Sequence, residues 1–215
     1  MAVYNDEFAR YTTALFAAED DALRAAREES LRAGLPAISI QAEEGRFLGL
    51  LARAVGARRA VEIGTLGGYS AIWIARGLAP GGRLITIDAS SKHASVARAN
   101  VARAGLDCVE VREGNAHQLL PKLTAEGPFD FCFIDAEKVG YDAYLTWALA
   151  NVRVGGAIAA HNAFRGGELL EAAKADADTV AMRAVNERFA REPRLAATIF
   201  PAGDGTLFGI VREST

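Results

Sequence analysis

The stretch Val61-Glu62-Ile63-Gly64-Thr65-Leu66-Gly67-Gly68-Tyr69-Ser70 runs from an apolar strand pattern through clustered glycines into a helical one. A strand that turns on glycine directly into a helix opens an α/β unit. Downstream the same rhythm repeats. Short apolar runs at 60–63, 84–87, 109–111, 129–134 and 157–160 alternate with helical stretches near 69–78, 91–104, 116–124, 141–150 and 166–190. Apolar runs of this kind, separated by helices, predict a parallel sheet with helices on both faces. The rhythm changes at the end: runs at 197–200 and 207–211 flank Ala202-Gly203-Asp204-Gly205, a turn joining antiparallel strands. The fold class expected is therefore α/β and Rossmann-like, with five parallel strands and a C-terminal antiparallel hairpin.

Upstream, residues 5–33 carry Phe8, Tyr11, Leu15, Leu23 and Leu31 at helical spacing, and Gly34 and Pro36 end that region. A second helix, near 41–55, places Phe47, Leu48, Leu51 and Val55 on one face. Residues 1–57 thus read as a helical extension of a core spanning 58–215, all within one domain of 215 residues with 51% hydrophobic content. The 24 basic and 27 acidic side chains leave a net charge of −3, and no basic stripe appears, which argues against a nucleic-acid partner. No apolar stretch approaches the ~20 residues that a membrane helix needs. The acidic N-terminal segment is unlike a signal peptide, so the expected location is cytoplasmic. Cys108 and Cys132 read as free thiols, the second as a small buried hydrophobe.

In an open α/β sheet the ligand sits beyond the carboxyl ends of the strands, where strand order reverses. Two features converge there. The glycines after Ile63 let backbone approach a ligand, and about twenty residues on, Asp88 ends the next strand, where a carboxylate can take both hydroxyls of a ribose. A nucleoside-bearing cofactor satisfies both. The spacing from Gly64 is G-x-x-G-G, not the G-x-G-x-x-G of dinucleotide sites, and Glu62 precedes it. A carboxylate there suits the cationic methionine part of S-adenosylmethionine and repels a diphosphate.

These residues, together with Ile134-Asp135-Ala136-Glu137-Lys138, Tyr141, Tyr144, Gly155-Gly156 and His161-Asn162, resemble the metal-dependent O-methyltransferases, the family of the catechol and caffeoyl-CoA enzymes. The likeness runs from Gln41-Ala-Glu-Glu-Gly45 to Arg194-Leu195 and Gly203-Asp-Gly205. It implies a seven-stranded sheet of order 3-2-1-4-5-7-6, a homodimer, and methyl transfer to a hydroxyl of a small catechol-like aromatic. It also implies roles for residues. Glu62, Gly64, Thr65 and Ser70 would hold the methionine part and Asp88 the ribose. Ala116 would lie beside the adenine, Ile40 would close the pocket, and Asp135 and Glu137 would contact the cofactor.

The family's divalent cation is implied to sit on Asp135, Asn162 and the residue between Ala160 and Asn162, with Lys138 as general base. That last ligand position is an aspartate in the family and His161 here. Imidazole in place of carboxylate removes a negative charge and adds a nitrogen donor, which favours ions softer than Mg²⁺. Three readings follow from the residue. His161 ligates a softer divalent ion, or it serves as the general base of a metal-independent O-methyltransferase, or it has drifted in a site that needs no metal. A non-catalytic protein that binds S-adenosylmethionine is the reading from a different class.

Overall fold

The computed structural model describes residues 4–213. Three helices come first: α1 (Asp6–Phe16), α2 (Asp21–Arg32) and α3 (Ala42–Ala54). Then strands and helices alternate: β1 (Arg59–Ile63), α4 (Tyr69–Gly77), β2 (Arg83–Asp88), α5 (Ser91–Arg103), β3 (Val109–Glu113), α6 (Ala116–Leu123), β4 (Phe129–Ile134), α7 (Tyr141–Asn151) and β5 (Val152–Ala160). Helix α8 (Ala177–Arg191) leads into the antiparallel pair β6 (Leu195–Phe200) and β7 (Thr206–Val211).

All seven strands form one sheet in the order β3-β2-β1-β4-β5-β7-β6. The first five pair in parallel; β7 runs antiparallel to both β5 and β6. The strand order implied by the family likeness is the one found. Alternation along each strand sends side chains to two separate cores. Val61, Ile63, Ile85, Cys132 and Ile134 pack with Leu120, Leu145, Val185 and Phe189, from α6, α7 and α8. Ala60, Leu84, Phe131 and Phe133 face the other way, onto Leu48, Ile72 and Trp73 from α3 and α4. With both faces covered, these strands read as unbroken apolar runs.

Three sequence expectations are corrected. The helical region 5–33 is two helices, because Asp20 accepts a hydrogen bond from Leu23 N–H at 3.0 Å and restarts the chain as an N-cap. The helix expected over 166–190 begins only at Ala177: Gly166 and Gly167 take positive φ, +61° and +93°, which breaks any continuous helix. Strand β5 starts at Val152, earlier than expected, with an irregular register against Phe129 and Phe131.

Candidate active site

Strand order reverses between β1 and β4, so the chain leaves β1 for the β2 side of the sheet and leaves β4 for the other. The loops after β1 and β4 meet at that reversal. They meet closely: a Cβ built on Gly64 would lie 2.0 Å from the carbonyl oxygen of Asp135, and Gly64 has φ +98°. Only glycine satisfies both constraints. A cleft of about 760 Å³ opens at this point.

One half of the cleft wall comes from β1, β2 and the N-terminal segment. Gly64, Thr65 and Ser70 line it from the glycine loop, Asp88 from the end of β2, and Ile40 from the linker before α3. The Asp88 carboxylate accepts hydrogen bonds from the backbone N–H groups of Thr65 (3.2 Å) and Leu66 (2.9 Å) on one oxygen, and from Ser90 N–H (2.9 Å) on the other. His93 lies 3.2 Å from that second oxygen. Asp88 therefore fixes the glycine loop as well as presenting a carboxylate to the cleft.

Glu62 is the expected cofactor residue that does not line the open cleft. Its side chain is fully buried just behind the wall. Oε2 accepts from the Thr86 hydroxyl at 2.5 Å, and that hydroxyl is in turn 2.5 Å from the Thr65 hydroxyl on the wall. Oε1 has no hydrogen-bond partner. Burial pushes the Glu62 pKa up to about 8, against the lowering influence of the Ser70 and Thr86 hydroxyls and with help from the Asp135 and Asp88 charges. An orphaned carboxyl oxygen beside a glycine loop fits the ammonium of a methionine moiety, since a cation supplies both the missing donor and the missing charge.

The end of the cleft where the family likeness expects the adenine is built from α6 and the β4–α7 connection, where Ala116 and Glu137 both line the cleft. Tyr144 donates to Glu137 Oε1, lies 3.1 Å from His117 Nε2, and stacks on the His117 ring with centroids 4.7 Å apart. Tyr144 and Tyr141 are buried, yet both hydroxyls engage polar partners at the site.

Asp135, Lys138 and Asn162 line the remaining part of the cleft. Lys138 Nζ donates to Asp135 Oδ1 (3.1 Å), the Ala136 carbonyl (2.9 Å) and the Tyr141 hydroxyl (2.7 Å), the pattern of an ammonium with its three N–H groups engaged. Asn162, at φ +63°, donates from Nδ2 to Asp204 Oδ2 at 2.7 Å, which ties the loop after β5 to the β6–β7 turn.

His161 lies behind this wall, 5% exposed. Its Nε2 is 3.0 Å from Glu44 Oε1 and its Nδ1 is 3.4 Å from Asp135 Oδ2. Burial alone would lower the imidazole pKa, but Asp135 and Glu44 raise it to about 10. Burial would likewise raise Asp135, but His161 and Lys138 hold its carboxyl at about 2. A protonated ring is a donor at both nitrogens and has no lone pair free for a metal or a proton. Among the described residues, no group of three or more His, Cys, Asp or Glu side chains is placed to hold a metal ion.

Glu44 is the residue that sequence reasoning passed over. It occurred only within the Gln41–Gly45 likeness, with no role. The available signal is the capping-box spacing, a glutamate three positions after Gln41 at the start of a helix. In the structure Glu44 is 1% exposed and its Oε2 accepts Gln41 N–H at 2.9 Å, closing the first turn of α3.

Comparison with known proteins agrees with this geometry. A sequence profile described as O-methyltransferase matches residues 13–212. A catechol O-methyltransferase of Mycobacterium tuberculosis is 50% identical over 181 residues, covering 84% of this chain and 81% of that protein. One of Niastella koreensis is 44% identical over 192 residues, 88% and 87% of the two chains. The crystal structure of an O-methyltransferase from Bacillus cereus in complex with S-adenosylhomocysteine superposes with a TM-score of 0.89, at 41% identity over 96% of this chain and 97% of that one. An O-methyltransferase of tomaymycin synthesis from Streptomyces achromogenes, solved with S-adenosylmethionine, gives 0.88 at 36% identity, with 96% of each chain covered. With the cleft, the orphaned Glu62 carboxyl and these likenesses together, the chain belongs to the O-methyltransferase family and is an S-adenosylmethionine-dependent enzyme.

Proposed function

We propose that this enzyme transfers the cofactor's methyl group to a phenolic oxygen of a small catechol-like aromatic. The observation that carries the reading is the Lys138–Asp135 pair on the same cleft wall as the glycine loop, with the buried Tyr141 hydroxyl behind it. The pair puts a cation on the cleft wall, and a cation there supports negative charge on an acceptor oxygen. The names of the two relatives quoted above point to the same class of acceptor.

Transfer from a sulfonium is an in-line displacement. A lone pair of the acceptor oxygen forms the O–CH₃ bond while the S–CH₃ bond breaks and its electron pair stays on sulfur, which becomes neutral. The acceptor loses its phenolic proton to solvent. The charge of Lys138 stabilises the phenolate, and Asp135 holds Lys138 by a 3.1 Å ion pair. In the cofactor half, Glu62, Gly64, Thr65 and Ser70 face the methionine part, Asp88 the ribose, Ala116 and Glu137 the adenine, and Ile40 covers the pocket.

The divalent cation implied by the family likeness does not fit these side chains. Of the three expected ligands, Asp135 has Lys138 on one oxygen and His161 on the other, and His161 has a carboxylate on each ring nitrogen. No step is therefore taken through a metal.

A second copy of the chain is the partner proposed for α1, none of whose residues is buried and which exposes Phe8, Tyr11, Leu15 and Phe16. A reducing cytoplasm suits the free thiols Cys108 and Cys132. No helix among the described residues is long and apolar enough to cross a membrane.

The test is direct. Purified protein, S-adenosylmethionine and a panel of catechols, simple phenols and aliphatic diols are incubated, and products are read by mass spectrometry. A catechol gaining one methyl group, with stoichiometric S-adenosylhomocysteine, is expected. Methylation confined to acceptors without a phenolic hydroxyl refutes the substrate class.

A further inference from the structure

The side chains around His161 form a line of alternating charge. Glu44 comes from α3, His161 follows the end of β5, Asp135 follows the end of β4, and Lys138 follows three residues later. The links are 3.0 Å, 3.4 Å and 3.1 Å. Each ring nitrogen of His161 faces a carboxylate oxygen, Nε2 at hydrogen-bond distance from Glu44 and Nδ1 in the longer contact with Asp135. Glu44 is itself pinned by Gln41 N–H at 2.9 Å and by the Thr206 hydroxyl at 3.4 Å, so it is held in place to receive the imidazole.

An aspartate at position 161, as the family likeness implies, would offer a further carboxylate to a hard cation. His161 offers instead two ring nitrogens that each face a carboxylate, and the two oxygens of Asp135 face His161 and Lys138, so these side chains are turned to one another and not to a metal.

We infer that His161, clamped between Glu44 and Asp135, takes the place of the family's divalent cation, so that this enzyme binds no catalytic metal and transfers methyl groups without one. The inference rests on the methyl-transfer reading for its second half alone; whether a metal binds is independent of it. His161 does not line the cleft. It is a positioning residue: it fixes Asp135, and through Asp135 the Lys138 ammonium that faces the acceptor.

Mn²⁺ is the probe. Protein stripped with EDTA and loaded with S-adenosylhomocysteine and catechol is titrated with Mn²⁺, and free ion is read from its electron paramagnetic resonance signal. In parallel, methyl transfer to catechol is followed in EDTA and in added Mn²⁺ or Mg²⁺. Wild-type protein is expected to leave Mn²⁺ free and to turn over equally well in EDTA. His161→Asp is expected to bind about one Mn²⁺ per chain, since it completes a hard oxygen donor set. The same variant should lose turnover in EDTA by about tenfold or more and regain it with Mn²⁺. A tight Mn²⁺ site on the wild type, or wild-type turnover that EDTA abolishes and Mn²⁺ restores, overturns the inference. So does a folded His161→Asp variant that stays metal-free. If that variant does not fold, the wild-type titration still decides whether a metal site exists. If no catechol is methylated, the substrate reading fails while the Mn²⁺ titration stands by itself.

Discussion

Cofactor binding should expel a proton from Glu62. The carboxyl is buried with one oxygen unpartnered, and its pKa is raised to about 8, so at pH 7 it is about 90% protonated in the free enzyme. The α-ammonium of S-adenosylhomocysteine beside that oxygen favours the ionised form, and a charge-paired carboxyl titrates well below neutrality. Binding at pH 7 should then release about 0.9 proton. The sign follows directly: the ligand prefers deprotonated Glu62, so affinity must rise with pH up to the free-enzyme value. With a pKa of about 8 in the free state, Kd should fall about ninefold between pH 6 and pH 7. Calorimetric titration at pH 7 in phosphate and in Tris measures the release directly, because the two buffers differ strongly in ionisation enthalpy. Equal enthalpies in the two buffers, with a Kd flat from pH 6 to 7, would refute the reasoning. Glu62→Gln serves as the internal control and should show neither effect.

Three further outcomes are expected. Lys138→Ala should lower kcat by about 10²-fold, the scale of a lost polar catalytic group, with cofactor affinity unchanged; a matching loss of affinity by calorimetry would make Lys138 structural. Asp88→Ala should weaken cofactor binding by about 2 kcal/mol or more, because it removes the ribose acceptor and frees the Thr65 and Leu66 amides that shape the glycine loop. Unchanged affinity would remove Asp88 from the site. Gly64→Ala should cost about 2 kcal/mol or more of stability in urea unfolding, since its Cβ meets the Asp135 carbonyl at 2.0 Å and its φ is +98°. A midpoint equal to wild type would show that the two loops can part freely.

The sequence by itself determined the α/β class and the placement of most strands, because burial on both faces leaves unbroken apolar runs that differ from the surrounding helical periodicity. It also pointed to the cleft: the glycines after β1 and the carboxylate ending β2, which the structure brings to one cleft, are local in the chain, and their conformational demands are local. Helix boundaries around 17–20 and 166–177 were less legible, for they depend on a single cap at Asp20 and on positive φ at Gly166 and Gly167. What only the tertiary structure decided is the state of His161. The residue next to it in sequence, Asn162, says nothing of it. The partner that matters, Glu44, lies 117 positions away on α3. Protonation is set by the charges within a few ångströms, and a buried imidazole with a carboxylate at each nitrogen behaves differently from one beside a metal or in water. That environment exists only once α3, β4 and β5 are packed together.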